Sequence, residues 1–537
     1  MRADVIRVYK SVHTWTGILS AFALFIAFYA GALTMFEETL SRWSNPPAAT
    51  AAPPLAQSAA LIEQTLAARK DARKEFTLHL GDSAEIPARL TWKTGRADRM
   101  PWSSGFTPEG ELELVRLQPS GLAQFIDDLH RTAGIPGDHE TVELLVGAIC
   151  LLYSVALVSG LIILLPSLVK DFFALRVGRN LKRMWLDAHN AIGIASLPFH
   201  IVIALTAVVF CLHDPVYDVQ DKVIYGDNIE TAFKSTSIYP LKPDATPTAM
   251  LAPQELLARV RAFSPEFEPT SILYRAHGTA GAMARVAGHD KRYMVRLEGF
   301  LVMNAATGEI LNTAYFPGAQ GNWTATVSSF FSLHFGTFGG EPVRWTYFAL
   351  GLAGAFLFYS GNLLWIETRR KTARNGSGPV LQQRSARWLA AGTVGVCLGS
   401  VCGISLTVAA AKLLYGRVLD ANAWHYTVYY GVFLACLAWA FWRGAARAGI
   451  GLLRLSAATA LAVPLASLHT AYATSYAGWT YRPGVDASAA IAALAFAWMA
   501  RAAARRARQG APDSVWSLPA ARQAADQPRQ PQFAPPK

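Results

Sequence analysis

Long uncharged runs constrain this chain more than any other feature. No charge falls between Lys10 and Glu37, between Glu143 and Lys170, or between Asp187 and Asp214, and a fourth run joins Arg344 to Glu367. Four more follow at Trp388–Ala411, Trp424–Trp442, Leu455–Trp479 and, weaker and Ala-rich, Val485–Ala500. About 20 apolar residues cross the hydrocarbon core of a bilayer, so each run predicts a membrane span. Composition agrees: 52% of residues are hydrophobic and only 16% charged, against roughly 25% charged in a soluble domain. The same hydrophobicity excludes a disordered chain. The first run is too long for a cleaved signal peptide, and no small-x-small site follows it closely. The expectation is a mainly α, polytopic membrane protein with a helical bundle of about eight spans.

Lys and Arg placement gives the orientation. Segments 1–13, 166–186, 367–387, 443–454 and 501–537 together hold 24 basic residues against five acids. The loops between them are slightly acidic, with 11 basic to 15 acidic residues in 37–141 and 10 to 13 in 214–341. Basic loops stay cytoplasmic, so both termini are expected inside and both long loops outside. The formal net charge of +12 is thereby topology. Nucleic-acid binding would need basic and aromatic residues on one exposed face, which no loop offers.

The chain divides into a first span (1–44), an outer domain (45–141), spans two and three with a cytoplasmic loop (142–213), a second outer domain (214–342), a fourth span (343–370), a C-terminal extension of about four spans (387–504) and a disordered tail (505–537). The first outer domain opens with a Pro/Ala linker, Asn45–Pro54. A helical pattern follows at Ser58–Arg69, with strand patterns near Phe76–Leu80, Ala88–Trp92 and Glu111–Leu117. The second has a helix at Pro253–Phe263, strands near Thr270–Arg275, Tyr293–Leu297 and Phe300–Asn304, and a hairpin over Leu301–Leu311 turning at Thr307-Gly308. Each reads as a small α+β outer domain.

The first half of the chain is written twice. His13-Thr-Trp-Thr-Gly17-Ile18 opens the first span and His189-Asn-Ala-Ile-Gly193-Ile194 the third. Leu129-His130 precedes the second span and Leu333-His334 the fourth. Two copies running the same way imply a pseudo-two-fold axis along the membrane normal. His13 then stands level with His189 near the cytoplasmic face, and His130 with His334 near the outer face. Two histidines at one depth on different helices make the axial pair of a six-coordinate haem b, and a four-helix bundle is a common container for one. Two haems are expected, with Gly17, Gly31, Gly193, Gly336, Gly351 and Gly354 giving room beside them. The bland alternative is that terminal histidines merely sit at the interface. His200, eleven residues beyond His189, falls within about 20° of it on one helical face, ~16.5 Å along the axis. It is an alternative ligand, although its counterpart in the first copy is Leu24. Arg7, Lys10, Lys182 and Arg183 are either propionate partners or topology charges.

Other chemistries lack their residues. The five cysteines lie in apolar runs without Cys-x-x-Cys, which removes iron–sulfur clusters, redox thiol pairs and covalently attached haem. No Gly-x-Gly-x-x-Gly follows a strand, and neither a Walker loop, His-Glu-x-x-His nor Gly-x-Ser-x-Gly occurs.

Val12-His13-Thr-Trp-Thr-Gly17, Trp185-Leu-Asp-Ala-His189-Asn-Ala-Ile-Gly193, Leu197-Pro-Phe-His200 and, most specifically, Leu333-His334-Phe-Gly-Thr-Phe-Gly-Gly340 resemble the PepSY-associated transmembrane family over roughly residues 5–370. Ala306-Thr-Gly-Glu-Ile310 is similar to a PepSY module. The resemblance implies a bacterial inner-membrane di-haem reductase acting on ferric siderophores in the periplasm, with His13, His130, His189 and His334 at haem-ligating positions and their pairing open. Its electron donor would be a cytoplasmic reductase or quinol in the bilayer. The competing expectations are a non-redox membrane module whose outer domains bind a peptide or peptidase, and a proton-coupled siderophore or metal transporter using His200 and His469. Nothing after residue 387 matches the family pattern.

Overall fold

The computed structural model describes residues 3–46, 53–81, 89–95, 98, 100–107, 109–169, 181–229, 231, 237–295, 297–373, 382–473, 479, 483–510 and 514–518. Helix α1 (Ala3–Thr34) is continuous; it contains no proline, and its hydroxyls bond back to carbonyls of the preceding turn, as Thr14, Thr16 and Ser20 do. Such back-bonding hides polar donors from lipid. A short α2 (Glu37–Ser44) and α3 (Ser58–Ala68) follow. After the first outer segment, α4 (Leu122–Thr132) precedes the second span, α5 (His139–Leu164).

The third expected span is two helices, α6 (Leu181–Ala195) and α7 (Leu197–Gln220), divided at Ser196. Pro198 lacks an N–H and crowds the carbonyl four residues back. The His200 amide still bonds to the Ser196 carbonyl at 3.0 Å, which keeps the course nearly helical. The second copy continues with α8 (Pro253–Phe263), α9 (Asn322–Phe335) and the fourth span, α10 (Gly340–Ala373). In the bundle, α1 packs against α5 and α10, α7 against α5, and α6 against α10, which puts α1 and α6–α7 on opposite corners. The Leu-His helices end alike, in left-handed residues: Ala133 (φ 51°) after α4 and Gly336 (φ 61°) after α9.

The two outer domains are not separate. Their strands form one eight-stranded antiparallel sheet in the order β4-β3-β2-β1-β5-β6-β7-β8. The first copy supplies β1 (Glu75–His79), β2 (Leu90–Trp92), β3 (Trp102–Phe106) and β4 (Leu112–Arg116); the second supplies β5 (Glu268–Arg275), β6 (Met283–His289), β7 (Gly299–Asn304) and β8 (Ile310–Tyr315). The halves join edge to edge through β1 and β5, with Glu75 opposite Arg275 and His79 opposite Ser271. Pairing the two edges leaves neither exposed to another chain. Both α3 and α8 cover one face, so Leu61, Leu66, Phe76 and Leu78 share a core with Leu256, Val260, Ile272 and Tyr274. Each such fully buried side chain stabilises by about 1.5–3 kcal/mol. The expected strand near Tyr293–Leu297 is not one among its described residues, and β3 and β6 are additional to the expected strands. Both strands carry Gly and several small residues, which weakens strand propensity. The expected hairpin turn is present, with Gly308 at φ 71°.

The extension comprises α11 (Arg384–Leu414), α12 (Ala421–Arg443), α13 (Ala445–Ala473) and α14 (Pro483–Gln509). Seven helices among the described residues are long and apolar enough to cross a membrane, not eight. The exception is α12, whose 23 residues suffice in length but include Asn422, His425, Tyr426, Tyr429 and Tyr430. Helix α14 takes in the first five residues of the expected tail, and the Leu518 amide bonds to the Ala507 carbonyl; residues 511–513 and 519–537 of the expected disordered tail, like 47–52 of the expected linker, lie outside the described residues. At the opposite end of the extension, Lys412 is 4% exposed and Asp486 1%. Ser467 bridges them, accepting from Lys412 Nζ at 3.0 Å and donating to Asp486 Oδ1 at 2.8 Å.

Candidate functional site

The structure brings the four repeated histidines together in two pairs. His13 of α1 faces His189 of α6 with ring centroids 6.3 Å apart and planes at 81°. His130 of α4 faces His334 of α9 at 6.0 Å and 41°. An imidazole nitrogen lies about 2 Å from a first-row metal it ligates, and the ring centre about 1 Å further, so two imidazoles across one iron stand about 6 Å apart, centre to centre. Both pairs meet that spacing.

The hydrogen bonds select the ring nitrogen left over. His13 Nδ1 lies 2.8 Å from the Ala156 carbonyl, and His130 Nδ1 2.8 Å from that of Ala27. A carbonyl only accepts, so Nδ1 carries the proton and Nε2 keeps its lone pair. His189 Nδ1 is 3.0 Å from Ser360 Oγ and His334 Nδ1 2.7 Å from Thr206 Oγ1. Each hydroxyl already donates to a carbonyl on its own helix, Ser360 to Leu357 and Thr206 to Val202. Its oxygen therefore accepts from the ring. In all four histidines Nε2 is free to ligate and the opposite nitrogen is anchored, the arrangement that orients metal-bound imidazoles. His334 is also held neutral: burial, with His130 adding, pushes its pKa down to about 3. Neutral imidazole is the ligand form.

Glycine seats the first copy's rings. A Cβ on Gly160 would stand 2.9 Å from His13 Cε1, and one on Gly31 2.7 Å from His130 Nδ1. Gly17, one turn beyond His13, has nothing within 4 Å of such a Cβ, and Gly193, one turn beyond His189, meets only Leu357 at 4.0 Å. Open space thus flanks the inner pair on both copies. Gly351 serves helix packing, against Ala32. Of these seats, Gly160 is the one absent from the sequence expectation, although Ser159-Gly160 and Ser360-Gly361 are a matched dipeptide in the second and fourth spans that flags it.

His200 is different. It is 2% exposed, whereas the four paired histidines are half-buried. Its Nδ1 lies 2.6 Å from the Tyr153 hydroxyl and its Nε2 has no partner. Among the described residues no second histidine stacks on it; its ring neighbours are Phe28, Tyr153 and Phe199, at 5.5–6.0 Å. This aromatic cluster, with Phe358, lies between the pairs. From His13 to Ala27, which His130 touches, is fourteen residues of α1, or ~21 Å. His213 sits 3.1 Å from Asp214 at the end of the third span. Among the described residues no group of three or more His, Cys, Asp or Glu could hold a metal ion.

A duplicated four-helix membrane core carrying facing histidines at two depths, with a fused extramembrane sheet, defines a class of multi-pass membrane protein. Residues 10–368 match the PepSY-associated TM region family, and the chain belongs to it. No curated protein matches the chain at a significant level. The family match ends before the extension begins.

Proposed function

We propose that this protein is a haem-containing electron-transfer protein of a bacterial inner membrane, carrying electrons outward to reduce ferric iron chelated by a siderophore. The observation that supports this best is the pair of histidine pairs, each about 6 Å between centroids with every Nδ1 anchored. The four residues would hold two b-type haems, one per pair. A haem held by each pair would supply one-electron exchange, with the four histidines as its protein ligands.

The chain's own groups account for the rest. The Ala27 and Ala156 carbonyls and the Ser360 and Thr206 hydroxyls fix ring orientation and tautomer. Basic loops orient the inner pair to the cytoplasm and the sheet to the periplasm, with both termini inside. At the outer pair, Phe210 packs on His334 at 5.0 Å and on Phe331 at 4.6 Å, presenting an aromatic wall below the sheet. A chelate docking there would be chosen by shape and aromatic contact, because the outer segments carry little net charge. Each ferric ion takes one electron, drawn from quinol or a cytoplasmic reductant, and is released because oxygen ligands hold hard Fe(III) better than Fe(II).

Pyridine haemochrome of the purified chain should give about two haems per chain, and dithionite-reduced protein should reoxidise on mixing with a ferric siderophore. His334→Ala should abolish that reoxidation while the inner haem stays reducible. A colourless, fully folded protein sinks the reading and leaves a peptide-binding module or a proton-coupled transporter.

A further inference from the structure

The extension is packed against the outer histidine pair, and one face of α12 makes the contact. Asn422, Tyr426 and Tyr430 are four residues apart, one above the other on a helix. Asn422 Oδ1 accepts from the Gly121 amide at 2.7 Å, at the start of α4. Tyr426 donates to Asp128 Oδ2 at 2.5 Å, in the middle of that helix. Tyr430 donates to the Gly134 carbonyl at 3.4 Å, just past its end. Between these points Phe125 of α4 packs edge-on against Tyr426 at 5.1 Å and Tyr429 at 5.7 Å. The apolar side of α4, from Leu122 to Leu129, is buried in a core with Ile404 and Val408 of α11, Tyr429 of α12 and Val463 of α13. His130 follows Leu129 directly. Its counterpart His334 is braced from within its own copy, where Tyr347 donates to the Leu333 carbonyl at 2.7 Å and Thr337 to that of Val295 at 3.0 Å.

We propose that the C-terminal extension is a positioning clamp for α4: Asn422, Tyr426 and Tyr430 hold the helix at its start, middle and end, and so set how His130 meets His334. The extension then tunes the outer pair and leaves the inner pair, about 20 Å away along α1, untouched. This rests on the bis-histidine reading, with the three α12 residues acting through His130 and not as ligands themselves.

The test uses the full-length chain in detergent, with Tyr426→Phe and the triple variant Asn422→Ala/Tyr426→Phe/Tyr430→Phe. The imidazole planes meet at 81° in the inner pair and 41° in the outer, so haems held by the two pairs should give distinct ferric low-spin EPR signals. Expected is a shift of the outer EPR signal and outer midpoint potential, graded from single to triple variant, with the inner signal and potential unchanged. Asn422→Asp, which keeps the acceptor for the Gly121 amide, should restore the wild-type outer signal that Asn422→Ala loses. Leu434→Ala, on the exposed side of α12, should move neither. An outer signal and potential identical to wild type in the triple variant overturn the clamp, as do equal shifts at both pairs. Wild-type protein that binds no haem sinks the bis-histidine reading itself, and the clamp with it.

Discussion

The Tyr153 hydroxyl stands 2.6 Å from Nδ1 of His200, and the two fill positions whose repeat counterparts are Gly354 and Leu24. The duplication is thus broken at one polar contact in mid-membrane. Gly354 makes the room, since a Cβ there would approach Phe28 closely and lie 3.1 Å from His200 Cε1. His200→Leu restores the counterpart and should leave both haems in place. Stability should drop by about 1 kcal/mol, because the buried Tyr153 hydroxyl loses its short bond to the ring and keeps only the longer one, 3.3 Å, to the residue-200 carbonyl. Adding Tyr153→Phe removes the poorly paired hydroxyl and should recover part of the loss. Haem content and thermal inactivation rate check this; loss of one haem in His200→Leu would make His200 a ligand.

The glycine seats predict site-selective defects. On Gly31→Ala the new methyl lies 2.7 Å from His130 Nδ1, so the ring must swing and its bond to the Ala27 carbonyl breaks. Loss of such an outer-sphere bond typically costs 10–100-fold in metal affinity. Gly31→Ala should therefore weaken haem retention at the outer pair alone, and Gly160→Ala at the inner pair alone. Haem transfer to apomyoglobin, followed at each pair's EPR signal, measures it. Equal loss from both pairs in either variant would contradict the seating.

Two histidines at the centre of the sheet predict acid sensitivity. His79 on β1 and His277 just after β5 each have a pKa pushed down to about 4, chiefly by burial, with Arg89 and Arg73 respectively adding to it. A histidine whose folded pKa lies below its unfolded value of 6.5 binds fewer protons folded than unfolded between those values. Stability is then full above pH 6.5 and falls as pH drops toward 4. Asp98 acts in a lower window, its carboxyl held down to about 2 by Thr94, Met100 and Arg116. Amide exchange in the full chain, corrected for intrinsic rate, should show β1 and β5 losing protection between pH 6.5 and 4.5. His79→Gln/His277→Gln should flatten that dependence; an unchanged slope would assign the acid response elsewhere.

Charge spacing and the His-x-x-x-Gly repeat make the membrane class and the histidine set legible in the sequence, because both are local patterns. Pairing of β1 with β5 is not legible there, since it joins residues nearly two hundred positions apart and each half alone reads as a complete small domain. The anchors of the site are equally silent: Ala27 and Ala156 act through backbone carbonyls, which any residue carries. The α12 ladder is hidden for another reason. Its tyrosines read as membrane-interface aromatics, and only the position of α4 shows what their hydroxyls reach.

The buried Lys412–Ser467–Asp486 relay predicts how the extension is fastened. Lys412 Nζ also lies over the Trp43 ring at 4.1 Å, and Trp43 Nε1 donates to Asp486 at 3.3 Å, tying α2 to α11 and α14. Lys412 and Asp486 meet through the Ser467 hydroxyl, and removing one of two such buried opposite charges strands the other, at a cost approaching the ~3–5 kcal/mol of a broken buried pair. Asp486→Ala should accordingly shorten the thermal half-life in detergent sharply and loosen α2, seen as faster labelling of a cysteine introduced at Ser44. Replacing both partners with apolar residues, Lys412→Leu/Asp486→Leu, leaves no stranded charge and should recover much of the half-life. If the double variant decays faster than Asp486→Ala alone, the relay is contributing directional hydrogen bonding and not merely neutralising a buried charge.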